Sequence, residues 1–226
     1  MVSIQFGDDS AICPISRNTR REDVTCALIQ GFGLVMVLGG VSTLLALAGV
    51  HGDAAQIVSL SIYGATLILL YTFSMLYHAS ANLKRKMWYR LVDHSNIYLM
   101  IAGTYTPFTL STMKGAWGWS LFGVIWGLAT LGIIFKLVFR NRYRLLALSL
   151  YLAMGWLIII GVAPLAANLP TSGFVWLIAA GVAYTLGVPF YLWERLPYNH
   201  AIWHLFVMAG SSSFYFVHLF YVLLGA

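Results

Sequence analysis

"CALIQGFGLVMVLGGVSTLLALAG", residues 26–49, carries no charged side chain from end to end. A helix of that length crosses the roughly 30 Å of hydrocarbon in a bilayer. A spanning strand does not fit, because the run is too long and lacks strict polar–apolar alternation. Backbone amides in lipid must be satisfied within the segment, so the run is predicted to be a transmembrane helix. Further runs of similar length follow at about 55–78, 92–111, 117–139, 145–167, 173–193 and 201–224. The expected fold is therefore an all-α bundle of seven transmembrane helices. Composition agrees: the 226-residue chain is 60% hydrophobic and 9% charged, with a mean hydropathy of +0.82. A soluble domain of this size needs far less apolar surface.

The segments between the runs set an orientation. Arg17, Arg20 and Arg21 precede the first run. Lys84, Arg85, Lys86 and Arg90 follow the second, and Lys136, Arg140, Arg142 and Arg144 flank the end of the fourth. Glu194 and Arg195 follow the sixth. The opposite connections, "VHGDA", "MKGAWG" and "AANLPTSG", hold one lysine. Basic residues favour the cytoplasmic side. The N-terminus is expected inside and the C-terminus outside, with residues 1–24 a cytoplasmic segment and 25–226 the membrane domain. The expected location is the inner (plasma) membrane. The net charge of +6 is explained by these clusters and does not point to nucleic acid. The first 25 residues lack a signal-peptide pattern, so the first run is expected to stay in the mature protein. Cys13 and Cys26 are expected as two unpaired thiols rather than a disulfide. Glycine-rich stretches such as "GFGLVMVLGG" and "GVIWGLATLG" are read as close helix contacts, and Pro107, Pro164 and Pro189 as kinks or helix ends.

Within that topology the polar residues sort by depth. His78 ends the second run, Asp93 opens the third, and His200 and His204 sit one turn apart at the start of the seventh. All four are expected at one level near the cytoplasmic face, with Ser74 on the same helix face as His78. Three imidazoles and a carboxylate suit zinc, and three protein ligands plus a water make an open, catalytic arrangement. Asp93 is either a fourth ligand or the group that holds and deprotonates the water. Plainer readings exist for each residue alone. An i, i+4 histidine pair can be interfacial, Asp93 can cap a helix, and Ser74 can bond back to its own helix. His218 and His51 fall near the other face, and His94 is a secondary candidate. Lys136 is expected to snorkel to the interface. Trp88, Trp117, Trp119, Trp193 and Trp203 are expected as interface anchors.

"SMLYHAS" at 74–80, "DHSNIYLMIAGTYTPF" at 93–108 and "PYNHAIWH" at 197–204 resemble the three signature segments of the hemolysin III proteins. These form the bacterial branch of the progestin and adipoQ receptor (PAQR) superfamily. "LYLAMGW" at 150–156 fits too, and the likeness runs over nearly all of residues 22–224. The resemblance implies a seven-helix bundle with zinc near the cytoplasmic face, on His78, His200 and His204. It places Ser74 and Asp93 beside a metal-bound water. The superfamily is also similar to alkaline ceramidases, which cleave a lipid amide with the same groups. Two departures stand out. A pattern like "NxxTHGxG" is common in the first helix, where this chain has "CALIQGFG" with Gln30 in the histidine's place. Asn96 replaces a smaller residue and is expected to bond toward Asp93.

The function expected is a zinc-dependent hydrolase of a lipid amide or ester, taking the acyl chain into the bundle and serving membrane lipid homeostasis. Its partners are membrane lipids; the oligomeric state is left open. The alternatives are a non-enzymatic, receptor-like membrane regulator with structural zinc, and a cytolysin. Pore formation fits poorly because no run carries a repeated polar stripe. Haem ranks last, since two histidines one turn apart cannot clasp it from both faces.

Overall fold

The computed structural model describes residues 18–113, 115–140 and 142–225. Cys13 and most of the expected cytoplasmic segment lie outside them. Seven helical rods run through the described residues: α1 (Arg20–His51), α2 (Ala54–Ala79), α3 (Leu83–Pro107), α4 (Gly115–Phe139), α5 (Arg144–Ala166), α6 (Thr171–Leu192) and α7 (Asn199–Leu223). Six of them are long and apolar enough to cross a membrane. The exception is α3, whose polar inner face belongs to the site. Large side chains such as Val35, Leu131 and Ile160 are exposed around the outside, as lipid-facing residues are.

Local chemistry sets the helix starts. Thr19 and Glu22 form a reciprocal cap on α1, as do Asp53 and Gln56 on α2, each satisfying two otherwise orphaned amides. Asn82 caps α3, its Oδ1 accepting from the Arg85 amide at 3.1 Å. This corrects two expectations. Lys84, Arg85, Lys86 and Arg90 are not in a loop but in the first turns of α3. Asp93 is not a cap but lies nearly three turns inside that helix. Lys, Arg, Met and Leu are good helix formers, so the helix begins well before its apolar stretch does.

Each rod packs mainly on its neighbours in sequence, and α1 against α7 closes the ring. Glycines permit the close approaches read from the sequence. A Cβ at Gly33 would overlap the ring of Tyr71 on α2, and one at Gly132 the ring of Tyr98 on α3. α3 passes into a π-helical turn at Phe108–Thr112 directly after Pro107. α5 tightens to a 3-10 turn at Leu157–Gly161, before Pro164, and α7 ends in a π-helical stretch, Val217–Leu223. Two apolar cores result, one centred on Tyr98, Phe108, Ile125 and Leu165, the other on Leu44, Leu60, Tyr63 and Leu67.

Candidate metal centre

The end of the bundle where α1, α3, α5 and α7 begin gathers the expected imidazoles. The ring of His78 from α2 lies 4.9 Å from that of His200 and 5.1 Å from that of His204, both from α7. His200 and His204 are 4.5 Å apart and nearly perpendicular. His78 thus meets, at one level, two histidines more than 120 residues further along the chain. Entry into α7 is fixed by Tyr198, whose φ of +57° is unusual for a residue with a side chain. Its amide donates to Glu22 Oε1 at 2.9 Å. The other carboxylate oxygen of Glu22 accepts from the Thr19 amide, so one side chain both caps α1 and anchors the turn before His200.

The ring nitrogens are oriented from behind. His78 Nδ1 donates to Asp23 Oδ1 at 3.1 Å, and Lys86 Nζ donates to the other oxygen of Asp23 in a close ion pair. His78 Nε2 is thereby left with its lone pair and faces His204 Nε2 at 3.1 Å. His204 Nδ1 meets the Gln30 amide at 2.5 Å, while Gln30 Oε1 is buried without a protein partner. Turned end for end, the amide satisfies that oxygen, which then accepts from Nδ1–H and leaves His204 Nε2 bare as well. Two bare imidazole nitrogens facing each other repel unless a cation sits between them. Two nitrogens on one tetrahedral zinc are separated by about 3.3 Å, given Zn–N distances near 2.0–2.1 Å. The observed spacing fits. Carboxylate or amide partners on the far nitrogen are the usual supports of ligating histidines.

Among the described residues, one set of three such side chains has ligand atoms all within 4.8 Å of one another: Cys26, His78 and His204. Cys26 is a free thiol, fully buried. Neither it nor Asp23 was picked out from the sequence as part of the site. Asp23, Cys26, Gln30 and Gly33 are the buried positions of α1's first turns, at helical spacing. That face becomes legible once the helix is started at Arg20 rather than at residue 26.

Asp93 and Ser74 are buried, and Ser74 donates to the Asp93 carboxylate. They share with Gln30, His200 and His204 the polar end of a partly open cavity. The remaining wall is largely apolar, including Leu70, Ile97, Met100, Tyr184 and Val207. Three expectations change here. Lys136 does not snorkel: it is 3% exposed and lines the cavity near Asp93. Asn96 does not reach toward Asp93 but donates across to the Leu69 carbonyl on α2 at 3.3 Å. Trp203 is a cavity wall rather than an anchor, whereas Trp88, Trp117, Trp119 and Trp193 are exposed as anchors are. His94 also lines the cavity, its Nδ1 donating to the Arg90 carbonyl at 2.7 Å. Glu194 pairs with the basic side chain of Arg144 at 2.5 Å.

The model of the family described as haemolysin-III related matches residues 20–215. The chain belongs to that family. It is 45% identical to Hemolysin-3 of Bacillus cereus over 203 residues, covering 90% of this chain and 93% of that one. It is 43% identical to the Hemolysin-3 homolog of Bacillus subtilis (strain 168), covering 90% and 95%. A more distant likeness, 28% over 170 residues, is to human monocyte to macrophage differentiation factor, covering 73% and 70%. The motif resemblance to hemolysin III and PAQR proteins is thereby confirmed, and this family member is a multi-pass protein of the plasma membrane.

Proposed function

We propose that this haemolysin-III family protein is a zinc-dependent hydrolase of a membrane-lipid amide or ester, active in membrane lipid homeostasis. The observation that carries the reading is the placement of an imidazole cluster and a buried carboxylate at the polar end of an otherwise apolar cavity. His78, His200 and His204 hold the ion, with Asp23 and Gln30 orienting the rings of His78 and His204. When bound, zinc polarises a carbonyl and makes water more acidic. The chain's own groups do the rest. Apolar cavity walls take the acyl chain, at about 0.8 kcal/mol per buried methylene, and bring its carbonyl to the polar end. Asp93 accepts a proton from the attacking water and returns it to the leaving amine or alcohol. Ser74 fixes the Asp93 carboxylate through its hydroxyl. Lys136 places a positive charge on the same side of the cavity, where charge builds on the carbonyl oxygen.

The test uses detergent-purified, zinc-loaded protein and fluorescent acyl-amide and acyl-ester lipids. Asp93→Ala should keep its zinc and lose about 10²–10⁴-fold in turnover. Turnover equal to wild type removes Asp93 from the role. A fully metallated wild type without turnover on either lipid class ends the hydrolase reading. A second reading is favoured by the buried Cys26 beside the imidazoles: four protein donors would make a closed, structural site, as in a receptor-like regulator.

A further inference from the structure

The apolar part of the large cavity has a definite end. From the polar end it is lined on α3 from Asp93 to Thr104 and on α7 from His200 to Phe214. Those stretches cover eleven and fourteen residues, or about 16–21 Å of helix. Facing them, α5 and α6 line it as far as Trp156 and Gly181, where a Cβ on the glycine would lie 3.3 Å from the indole. The depth is close to one leaflet's share of the hydrocarbon core, about 15 Å. Past Thr104 and Phe214 the next turns carry Phe108 and His218, which are 1% and 0% exposed. Their rings lie 4.7 Å apart, and the Phe214 ring is 6.4 Å from Phe108 and 6.3 Å from His218. Three packed rings thus close the end farthest from the metal centre. Of the three, Phe214 lines the cavity.

We propose that Phe214 is the floor of an acyl-chain ruler, so that the cavity selects lipids by the length of the chain whose carbonyl reaches the metal centre. An extended chain of about 12–16 carbons spans the ~16–21 Å between the polar end and that ring. The proposal rests on the reading above that the apolar walls hold the acyl chain, and adds which chain. A shorter chain leaves the far walls without contact atoms and forfeits their dispersion attraction. A longer one has to bend, or hold its carbonyl back from the polar end, because close-packed rings yield little. The wall beside the floor is fixed as well. The ring of Tyr184 lies 6.2 Å from that of Phe214, and its hydroxyl is hydrogen-bonded to Ser211 Oγ at 2.9 Å. The competing explanation is that Phe214 serves packing alone, since it also rests against the core that holds Phe108 and Val217.

Binding of free fatty acids distinguishes the two without needing turnover. Full-length, zinc-loaded protein in detergent is given a fluorescent fatty acid, which saturated acids from octanoic to eicosanoic then displace. They are compared at equal mole fraction in the micelles, so that partition into detergent cancels. Binding should be tightest at about 12–16 carbons and about tenfold weaker for eicosanoic acid. Phe214→Ala should move the optimum to longer chains by about three carbons, which fill the space the ring leaves. Phe214→Leu should move it less, in the same direction. Thr104→Leu, which adds bulk at the same level, should move it to shorter chains. A packing role alone would lower the thermal midpoint of the Phe214 variants and leave the optimum where it was. That result, or no dependence on length in wild type, overturns the ruler and leaves the hydrolase reading standing. Displacement by no fatty acid overturns the ruler and the acyl-chain reading together. The expected optimum and its shifts in a protein that turns over no lipid would keep the ruler and end the hydrolase reading.

Discussion

Helix α7 carries two buried histidines that do opposite things. His204 is 3% exposed and His218 is fully buried, and they lie 14 residues apart on one helix. Around His204 both ring nitrogens are addressed, one by Gln30 and the other by His78. Around His218 there are rings instead: Tyr63 edge-on at 4.5 Å, Phe108 at 4.7 Å and Phe214 stacked at 6.3 Å. One imidazole is a donor aimed at a partner donor; the other is a flat piece of an aromatic core. Burial of a histidine in a membrane bundle is thus no sign of a site. The sign is convergence of lone pairs from different helices, with polar groups behind them to set the tautomer.

Replacing each residue gives the largest expected contrast. His204→Ala should weaken zinc binding by more than the ~10–100-fold typical of losing an outer hydrogen-bond partner. His218→Leu should leave one zinc per chain, because the group it removes sits in an aromatic setting 14 residues along the helix from His204. Metal analysis and chelator competition on the purified variants check both. Loss of the ion in His218→Leu, or its full retention in His204→Ala, breaks the distinction.

The same contrast explains what could be read in the sequence. Seven rods were legible because hydrocarbon demands about 20 apolar residues per helix, and that demand shows in any window. His78, His200 and His204 were legible because alternating topology puts the ends of the second and seventh runs at one depth. The helix extensions beyond the membrane were not. The charged turns at Lys84–Arg90 and Arg20–Thr25 have no apolar signal, yet the first sets the reach of Lys86 and the second holds Asp23. Cys26 stood at the very edge of its run, where a thiol reads as one more small apolar residue. Lys136 misled for the opposite reason. A lysine near a helix end has a stem long enough to reach water, and nothing local shows that a carboxylate from α3 lies on its inner side.

The groups behind His78 and His204 sharpen the comparison at a smaller scale, since no side chain comparable to Asp23 or Gln30 stands behind His218. Asp23→Asn keeps the shape but removes the charge that accepts from His78 Nδ1 and pairs with Lys86. Zinc affinity should fall about 10–100-fold. Gln30→Leu removes a neutral partner from His204 and should cost about tenfold, the lower end of that range. Chelator competition measures both. Affinities within twofold of wild type would mean that helix packing alone orients the rings.

The smallest effect concerns the start of α3, which positions Lys86 and Asp93 without touching a ligand. Asn82 Oδ1 accepts from the Arg85 amide, and losing such a cap costs about 1 kcal/mol. Asn82→Ala should therefore lower the thermal midpoint in detergent by a few degrees, while Asn82→Asp, which keeps the acceptor, should not. Zinc stoichiometry should be unchanged in both, because the rest of α3 is held by its packing on α2 and α4. A large loss of zinc in Asn82→Ala would mean that the first turns of α3 are coupled to the imidazole cluster through Lys86 and Asp23. The centre would then depend on a helix end that carries none of its ligands.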